Sequence, residues 1–485
     1  MHVPLSPTLA LALGLALVPG SGTPRESERP AAPNVVVVFT DDQGWGDIGV
    51  QGARGFATPH LDRLAAEGVR LTDFYAAQPV CSASRAALLT GCYPNRIGIS
   101  GALAPFDRVG LAASETTLGE LFGGQGYATA HFGKWHLGHL EPFNPTRHGF
   151  DEYFGVPYSH DMWPAGPRPW GDLPTLEGEE VVELNQDPAR WTVELTARAV
   201  DFVERCAAEE RPFFVYLAHP LPHVPLAASE AWRGHSEAGL YGDVIEEIDA
   251  SVGTLLESLV RLGIDERTLL VFSSDNGPWL SYGDHAGSTG GLREGKGTTF
   301  EGGVRVPFLA RWPGVLPAGR VCAEPAMAID VLPTLARLLG APASAPERPI
   351  DGRDIWPLLV GEPGARTPHE ALYFYNQRND LEALRCGRWK LHLPHGYRTM
   401  QGRESGAGGS AAPYDHSARI GLALFDLEAD PGETVDLTAR EPAVVRALLE
   451  LVEVMRGDLG DDLTGREARG ARPPGLAESP NSDER

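Results

Sequence analysis

The sequence predicts an α/β protein: a doubly wound sheet flanked by helices, followed by a smaller C-terminal α+β domain. Three observations carry this. Runs at Asn34–Thr40, 127–132, 212–218 and Thr268–Ser274 are almost continuously apolar, as strands buried on both faces are. Helical segments at 193–206 and 244–262 lie between such runs, and strands alternating with helices build a mostly parallel sheet. Each run then stops in polar residues: Asp41-Asp42, Lys134-Trp135-His136, His219 with His223, and Asp275-Asn276. Ligands bind beyond the carboxyl ends of strands in such sheets, so a site is expected where these residues meet.

Taken in order, residues 9–18 form an apolar run too short to span a bilayer, followed by Pro19-Gly20-Ser21-Gly22. Residues 1–22 are therefore expected to be a signal peptide of a secreted or periplasmic protein, and no later run suggests a transmembrane segment. Residues 23–33 read as a linker, and the main domain is expected over 34–365. Thr58, Pro59 and Gly68 bracket a helix as cap, first residue and stop. Residues 81–91, Cys-Ser-Ala-Ser-Arg-Ala-Ala-Leu-Leu-Thr-Gly, read as a short helix, with Ser82 or Ser84 as cap and Gly91 as stop. Cys81 then sits at a helix N-terminus that favours an anion, with Arg85 one turn away. Residues 156–190, rich in Pro, Trp and Gly, are expected as a loop over the cleft. Tyr158, Trp163, Trp170 and Trp191 could stack there on a sugar or aryl group, or simply pack the loop. Strand-like pieces at 371–375, 389–393 and 423–427 precede a helix at 442–455, which gives a C-terminal domain over 366–460. The Gly-rich stretch 402–413 reads as flexible, and the charged, Pro-rich residues 461–485 as a disordered tail.

The chain has 485 residues and a formal net charge of −24. That surface argues against nucleic acid and anionic membranes as partners, and any anionic ligand needs a local basic pocket. The five cysteines form no CxxC pair, so a structural zinc site is unsupported. Asp41, Asp42, Asp275 and Asn276 offer four oxygen ligands from two strand ends, the donors that Ca²⁺ or Mg²⁺ prefers, although an Asp-Asp pair is also common in turns. Lys134 and His136, taken alone, read better as a surface lysine and a core or capping histidine.

The Cys81 string, Cys-x-(Pro/Ala)-Ser-Arg followed by Ala-x-Leu-x-Thr-Gly, resembles the signature of the type I, formylglycine-dependent sulfatases of the arylsulfatase kind. Gly126-Tyr127-Ala128-Thr129 with Gly133-Lys134-Trp135-His136-Leu137-Gly138 resembles a second element of that family. Pro222-His223-Val224-Pro225, Pro157-Tyr158-Ser159-His160-Asp161 and the stretch 424–433 are similar to further ones. The resemblance implies an alkaline-phosphatase-like mixed sheet and hydrolysis of a sulfate monoester to alcohol and inorganic sulfate. It implies that a formylglycine-generating enzyme oxidises Cys81 to an aldehyde. It implies Ca²⁺, or Mg²⁺, held by Asp41, Asp42, Asp275, Asn276 and residue 81.

In the implied mechanism Arg85 and Lys134 hold the hydrated aldehyde. Asp275 takes a proton as one hydroxyl attacks sulfur, and His136 deprotonates the second hydroxyl. His223 and Lys296 contact the sulfate and protonate the leaving alcohol, and Ser159 contacts substrate. The implied substrate is a sulfated small molecule, sugar or lipid. Two rival readings are a phosphodiesterase or phosphonate monoester hydrolase of the same superfamily, and a non-catalytic sulfate-binding protein. A mere binder would not need His136 and Asp275 in those roles.

Overall fold

The computed structural model describes residues 31–478, apart from 167 and 169; the expected signal peptide at 1–22 lies outside them. The four apolar runs are strands, and they are neighbours. Asn34–Thr40 lies between Phe213–Ala218 and Thr268–Ser274, parallel to both. Ala128–Lys134 pairs in parallel with Phe213–Ala218, and Glu152–Val156 follows in parallel. On the other side Arg305–Arg311 runs antiparallel to Thr268–Ser274, and Val69–Tyr75 antiparallel to Arg305–Arg311. The result is a mixed sheet of 11 strands.

The central strand explains why these runs do not alternate. Val35, Val37 and Phe39 point into one core with residues of the helices Cys81–Thr90, Leu118–Gly123 and Val331–Leu339. Val36 and Val38 point into a second, formed with Pro59–Glu67, Trp191–Ala208 and Gly239–Arg261. Side chains alternate along a strand, so a sheet covered on both faces needs apolar residues at every position. Each buried Val contributes about 1.5–3 kcal/mol relative to an exposed one. The expected strand at 127–132 runs on as far as Lys134. Gly133 permits this: at φ +120 it lies so close to the Ala218 carbonyl that a Cβ would sit 1.9 Å from the oxygen.

Three expectations are corrected. Residues 156–190 are not all loop: Pro174–Glu177 and Glu180–Leu184 form a hairpin that extends the sheet from Glu152–Val156. The expected smaller C-terminal part is present, with a sheet ordered Leu372–Asn376, Asp380–Cys386, Trp389–His392 and Ala423–Asp426 that packs against the main part. Phe374, Leu384, Leu391 and Leu448 pack with Tyr75, Tyr93, Val304 and Met327 of the main part. Buried ion pairs join the same surfaces, as Lys390 Nζ meets Glu301 at 2.8 Å and Arg385 meets Asp73 at 2.6 Å. The expected disordered tail at 461–485 is tied down as far as it is described. Gly475–Leu476 pairs with Val109–Gly110, and Arg472 Nη2 bonds Glu115 at 2.7 Å. The Gly-rich stretch is also anchored, since Gly406 N and Ala412 N both donate to the Ser281 carbonyl, at 3.0 and 2.8 Å.

No helix of the described residues is long and apolar enough to cross a membrane.

Candidate active site

Because Asn34–Thr40 and Thr268–Ser274 are adjacent and parallel, the pairs Asp41-Asp42 and Asp275-Asn276 leave the sheet side by side. The Asp42 backbone N–H donates to Asp275 Oδ1 at 3.1 Å, and Asn276 Nδ2 to Asp42 Oδ1 at 2.7 Å. Asp42 and His136 both hold left-handed backbone, at φ 65 and 61. For a side-chain-bearing residue this costs about 1–3 kcal/mol, and it persists where the surroundings demand it.

Cys81 is the first residue of its helix, and all ten helical residues are buried. The expected serine cap is not made. Val80 precedes the helix in extended conformation with no side-chain cap, and Ser82 Oγ instead accepts from Leu103 N at 3.0 Å. The reason is the entry of the chain through Val80, which puts both serines inside the helix. Burial pushes the Cys81 thiol up to about 12, against the attraction of Lys134 and Lys296.

Three buried cations face three buried carboxylates here. Arg85 Nη2 lies 2.9 Å from Asp275 Oδ2 and 3.3 Å from Asp41 Oδ2, and its Nη1 donates to the Lys134 carbonyl at 3.0 Å. Lys134 Nζ meets Asp41 Oδ2 and donates to Ser159 Oγ at 3.1 Å. Lys296 Nζ is 2.7 Å from Asp42 Oδ1 and lies 4.5 Å above the Trp279 ring. Burial favours the neutral Asp41, but Lys134, His223 and Arg85 hold its carboxyl well below the usual range. Burial and then the Asp41 charge push the Asp275 carboxyl up.

The two histidines are set by backbone carbonyls. His136 donates from Nε2 to Leu103 O at 2.9 Å, which leaves Nδ1 without a partner. Burial, and then Lys134, hold its pKa well below the usual value, so the ring is neutral with a free lone pair. His223 donates from Nδ1 to Val224 O at 2.6 Å, and its Nε2 lies 3.6 Å from Asp42 Oδ2.

The residues present fit a hard cation. Asp41 Oδ1 and Asn276 Oδ1 are buried with no hydrogen-bond partner, which is costly unless something else takes them. Ligand atoms of Asp41, Asp42, Cys81 and His223 all lie within 4.8 Å of one another. Asp275 stands beside this set, its carboxylate turned to Arg85.

A cavity of about 490 Å³ opens onto these groups, lined by Cys81, Ser159, His223 and Lys296 together with Ser100, Ala102, Met162 and Trp279. All eleven residues singled out in the sequence thus come together. Of the two readings of the aromatics, packing is the one found. Trp191 is fully buried in its helix, and Tyr158 is buried with its hydroxyl donating to Asp172 O at 3.1 Å. Trp163 packs on the core, and Trp170 stacks on Phe106 with centroids 5.9 Å apart. None of the four lines the cavity; Trp279 does. Its signal was there to read, three residues after Asn276. Asp161 was equally near Ser159, and it lines the cavity with an unpartnered Oδ1. Arg378 and Arg398 reach the cavity from the C-terminal sheet, and no local pattern marks them.

Known proteins share this arrangement at the level of the whole chain. Residues 33–341 match the Sulfatase family model, and residues 367–468 match the model described as the C-terminal region of aryl-sulfatase. Human arylsulfatase A is 39% identical over 98% of this chain and 95% of its own length. N-acetylgalactosamine-6-sulfatase of Canis lupus familiaris is 37% identical over 88% of this chain and 86% of its own. Among solved structures, the PsFucS1 sulfatase from Pseudoalteromonas sp. superposes with a TM-score of 0.78 at 29% identity, covering 89% of this chain and 91% of that one.

Proposed function

Because the chain belongs to the sulfatase family, whose members hydrolyse sulfuric esters with a metal ion and formylglycine, we propose that residue 81, oxidised to formylglycine, is its nucleophile. The observation that carries this is the convergence on Cys81 of Lys296 and His223 in one cavity, with Lys134 and the unpartnered Asp41 Oδ1 buried beside it. Ca²⁺, or Mg²⁺ in its place, would be held by Asp41, Asp42, Asp275, Asn276 and residue 81. The cation would supply charge neutralisation at the ester oxygens, and the hydrated aldehyde would supply two hydroxyls, one to attack and one to expel sulfate.

The remaining work falls to side chains. Arg85 and Lys134 fix residue 81 and the acids around it. Lys296 and His223 bind the sulfate oxygens, with Ser159 placed by its bond to Lys134. Asp275 takes the proton of the attacking hydroxyl. His136, neutral with Nδ1 free, takes the proton of the second one. His223, its ring fixed through Val224 O, protonates the leaving oxygen. The substrate is a sulfated small molecule, sugar or lipid. The apolar run at 9–18 fits export from the cytoplasm, and a formylglycine-generating enzyme is the required partner.

The test is turnover of 4-nitrophenyl sulfate against bis(4-nitrophenyl) phosphate, alongside mass spectrometry of the peptide holding residue 81. Sulfate turnover by protein whose peptide is lighter than the thiol form is expected. Preference for the phosphodiester would defeat the proposal. A finer result is expected of His223→Gln. A leaving alcohol of high pKa needs its proton, whereas 4-nitrophenolate does not. The variant should lose about 10²–10⁴-fold in kcat on an alkyl sulfate and far less on the aryl ester. Equal losses on both would remove His223 from the proton-donor role.

A further inference from the structure

Besides Arg168, three guanidinium groups beside the cleft have no part in the chemistry above. The catalytic cavity shares Gly297, Gln377, Arg378 and Arg398 with a second one of about 600 Å³, which Arg419 also lines. Arg398 is half-buried and held in place. Its Nε donates to the Lys296 carbonyl at 2.9 Å, and its guanidinium lies 4.5 Å over the Tyr414 ring and 5.9 Å from the Trp279 ring. Arg378 is exposed at the turn between Leu372–Asn376 and Asp380–Cys386, where it holds φ 70. Arg419 donates only to the carbonyls of His416 and Ala418, at 3.1 and 2.8 Å.

Among the described residues none of these three forms an ion pair with a carboxylate within 4.0 Å. Several other arginines of the chain are paired: Arg96 with Asp351 and Asp458, Arg311 with Glu67 and Asp265, Arg385 with Asp73. Two carboxylates, Asp380 and Glu382, share the lining of the second cavity, and among the described residues neither forms an ion pair with an arginine. Glu382, which borders the second cavity, is engaged by Thr299 Oγ1 at 2.8 Å and Asn376 Nδ2 at 3.1 Å rather than by an arginine. A desolvated guanidinium fixed on aromatic faces, with donors to spare, is built to take a planar or tetrahedral anion in two-pronged fashion.

We infer that Arg398 and Arg378 form a second anion-recognition position beside the sulfate site, so that the preferred leaving alcohol carries a second negative group, a sulfate or a carboxylate. This rests on the sulfatase reading. It narrows the substrate from any sulfated alcohol to one that is at least doubly charged, such as an acidic or multiply sulfated sugar. The rest of that substrate occupies the second cavity along Arg419.

The experiment uses formylglycine-bearing full-length protein turning over 4-nitrophenyl sulfate. Three competitors are compared: N-acetylgalactosamine 6-sulfate, its 4,6-disulfate, and a 6-sulfated disaccharide that also carries a uronic acid. At least one doubly charged competitor should show an inhibition constant about tenfold lower than the monosulfate, and the better arm identifies the second group as sulfate or carboxylate. Arg378→Ala should erase the difference to within about twofold while 4-nitrophenyl sulfate turnover is kept. Arg398→Gln, which retains a donor for the Lys296 carbonyl, should act in the same direction. Equal inhibition by all three competitors, or variants that weaken all three equally, would overturn the second position alone. Absence of 4-nitrophenyl sulfate turnover by the modified protein would overturn the sulfatase reading and this inference together.

Discussion

Cys81→Ser is expected to fold, to keep the charged cluster intact, and to lose sustained turnover by on the order of 10⁵-fold. The substitution is nearly isosteric at a position with 2% exposure, so the helix Cys81–Thr90 and its packing should survive, and the melting temperature should move little. What disappears is the second hydroxyl. On the proposed mechanism a serine hydroxyl can receive the sulfuryl group while Lys296 and His223 bind its oxygens and His223 protonates the alcohol. The resulting serine sulfate has no neighbouring hydroxyl on the same carbon from which a proton could be taken to expel sulfate, so His136 has nothing to act on. The variant should release at most one equivalent of alcohol and accumulate a peptide sulfated at position 81, heavier than the unreacted one by mass spectrometry. Arg85, Lys134 and Asp275 are untouched, so a missing burst would mean that attack itself fails, not release. Undiminished steady-state turnover by the serine variant, or by wild-type protein proven to carry the thiol, would defeat the assignment of residue 81.

The fold and the site were legible for the same reason. A strand covered on both faces cannot alternate, so Val35–Val38 announce a buried parallel strand, and the abrupt polar stop at Asp41-Asp42 marks the edge where chemistry can sit. Four such stops on neighbouring strands meet in space because the sheet is parallel there. What could not be read depends on distant partners. The strand Asp380–Cys386 carries Glu382 and Arg385, which look like solvent residues. Thr299 bonds the one and Asp73 the other, from more than eighty residues away. The end of the chain looked like a tail because Arg472 and Arg469 are charged and Pro473-Pro474 follow; its anchor is Glu115, 357 positions earlier. Aromatic placement stays open in the sequence for the same reason. Trp191 and Trp170 are both tryptophans near one loop, but the first falls on the inward face of a helix and the second finds Phe106. The serines at 82 and 84 suggested a cap, yet the helix begins one residue earlier, because Cys81 itself takes the first helical position.

Asp41→Asn should strip the site of its cation and lower kcat by about 10³-fold or more on any sulfate ester. The substitution keeps the shape of the side chain and removes one charge. Two consequences follow from its contacts. Asp41 Oδ1 is the unpartnered oxygen that a cation would take, so the ion loses a first ligand and much of the charge that holds it. Asp41 Oδ2 is the partner of Lys134, so that buried ammonium loses this charged partner and keeps the neutral acceptors Ser159 and the Asn amide oxygen. Breaking a buried pair in this way costs about 3–5 kcal/mol, so the variant should also melt earlier. The two effects separate by adding metal. In wild-type protein stripped by chelator, with removal verified by elemental analysis, added Ca²⁺ should raise the melting temperature and restore turnover. At a hundredfold excess over its dissociation constant the ion stabilises by about 2.7 kcal/mol. The comparison with Mg²⁺ identifies which ion the wider set of Asp42, Asp275 and Asn276 prefers. In Asp41→Asn neither ion should raise the melting temperature to the wild-type extent, although the ordinary destabilisation from Lys134 remains. Full activity in protein verified to be free of metal would remove the cation from the reaction. A variant that binds Ca²⁺ as tightly as wild type would remove Asp41 from the ligands.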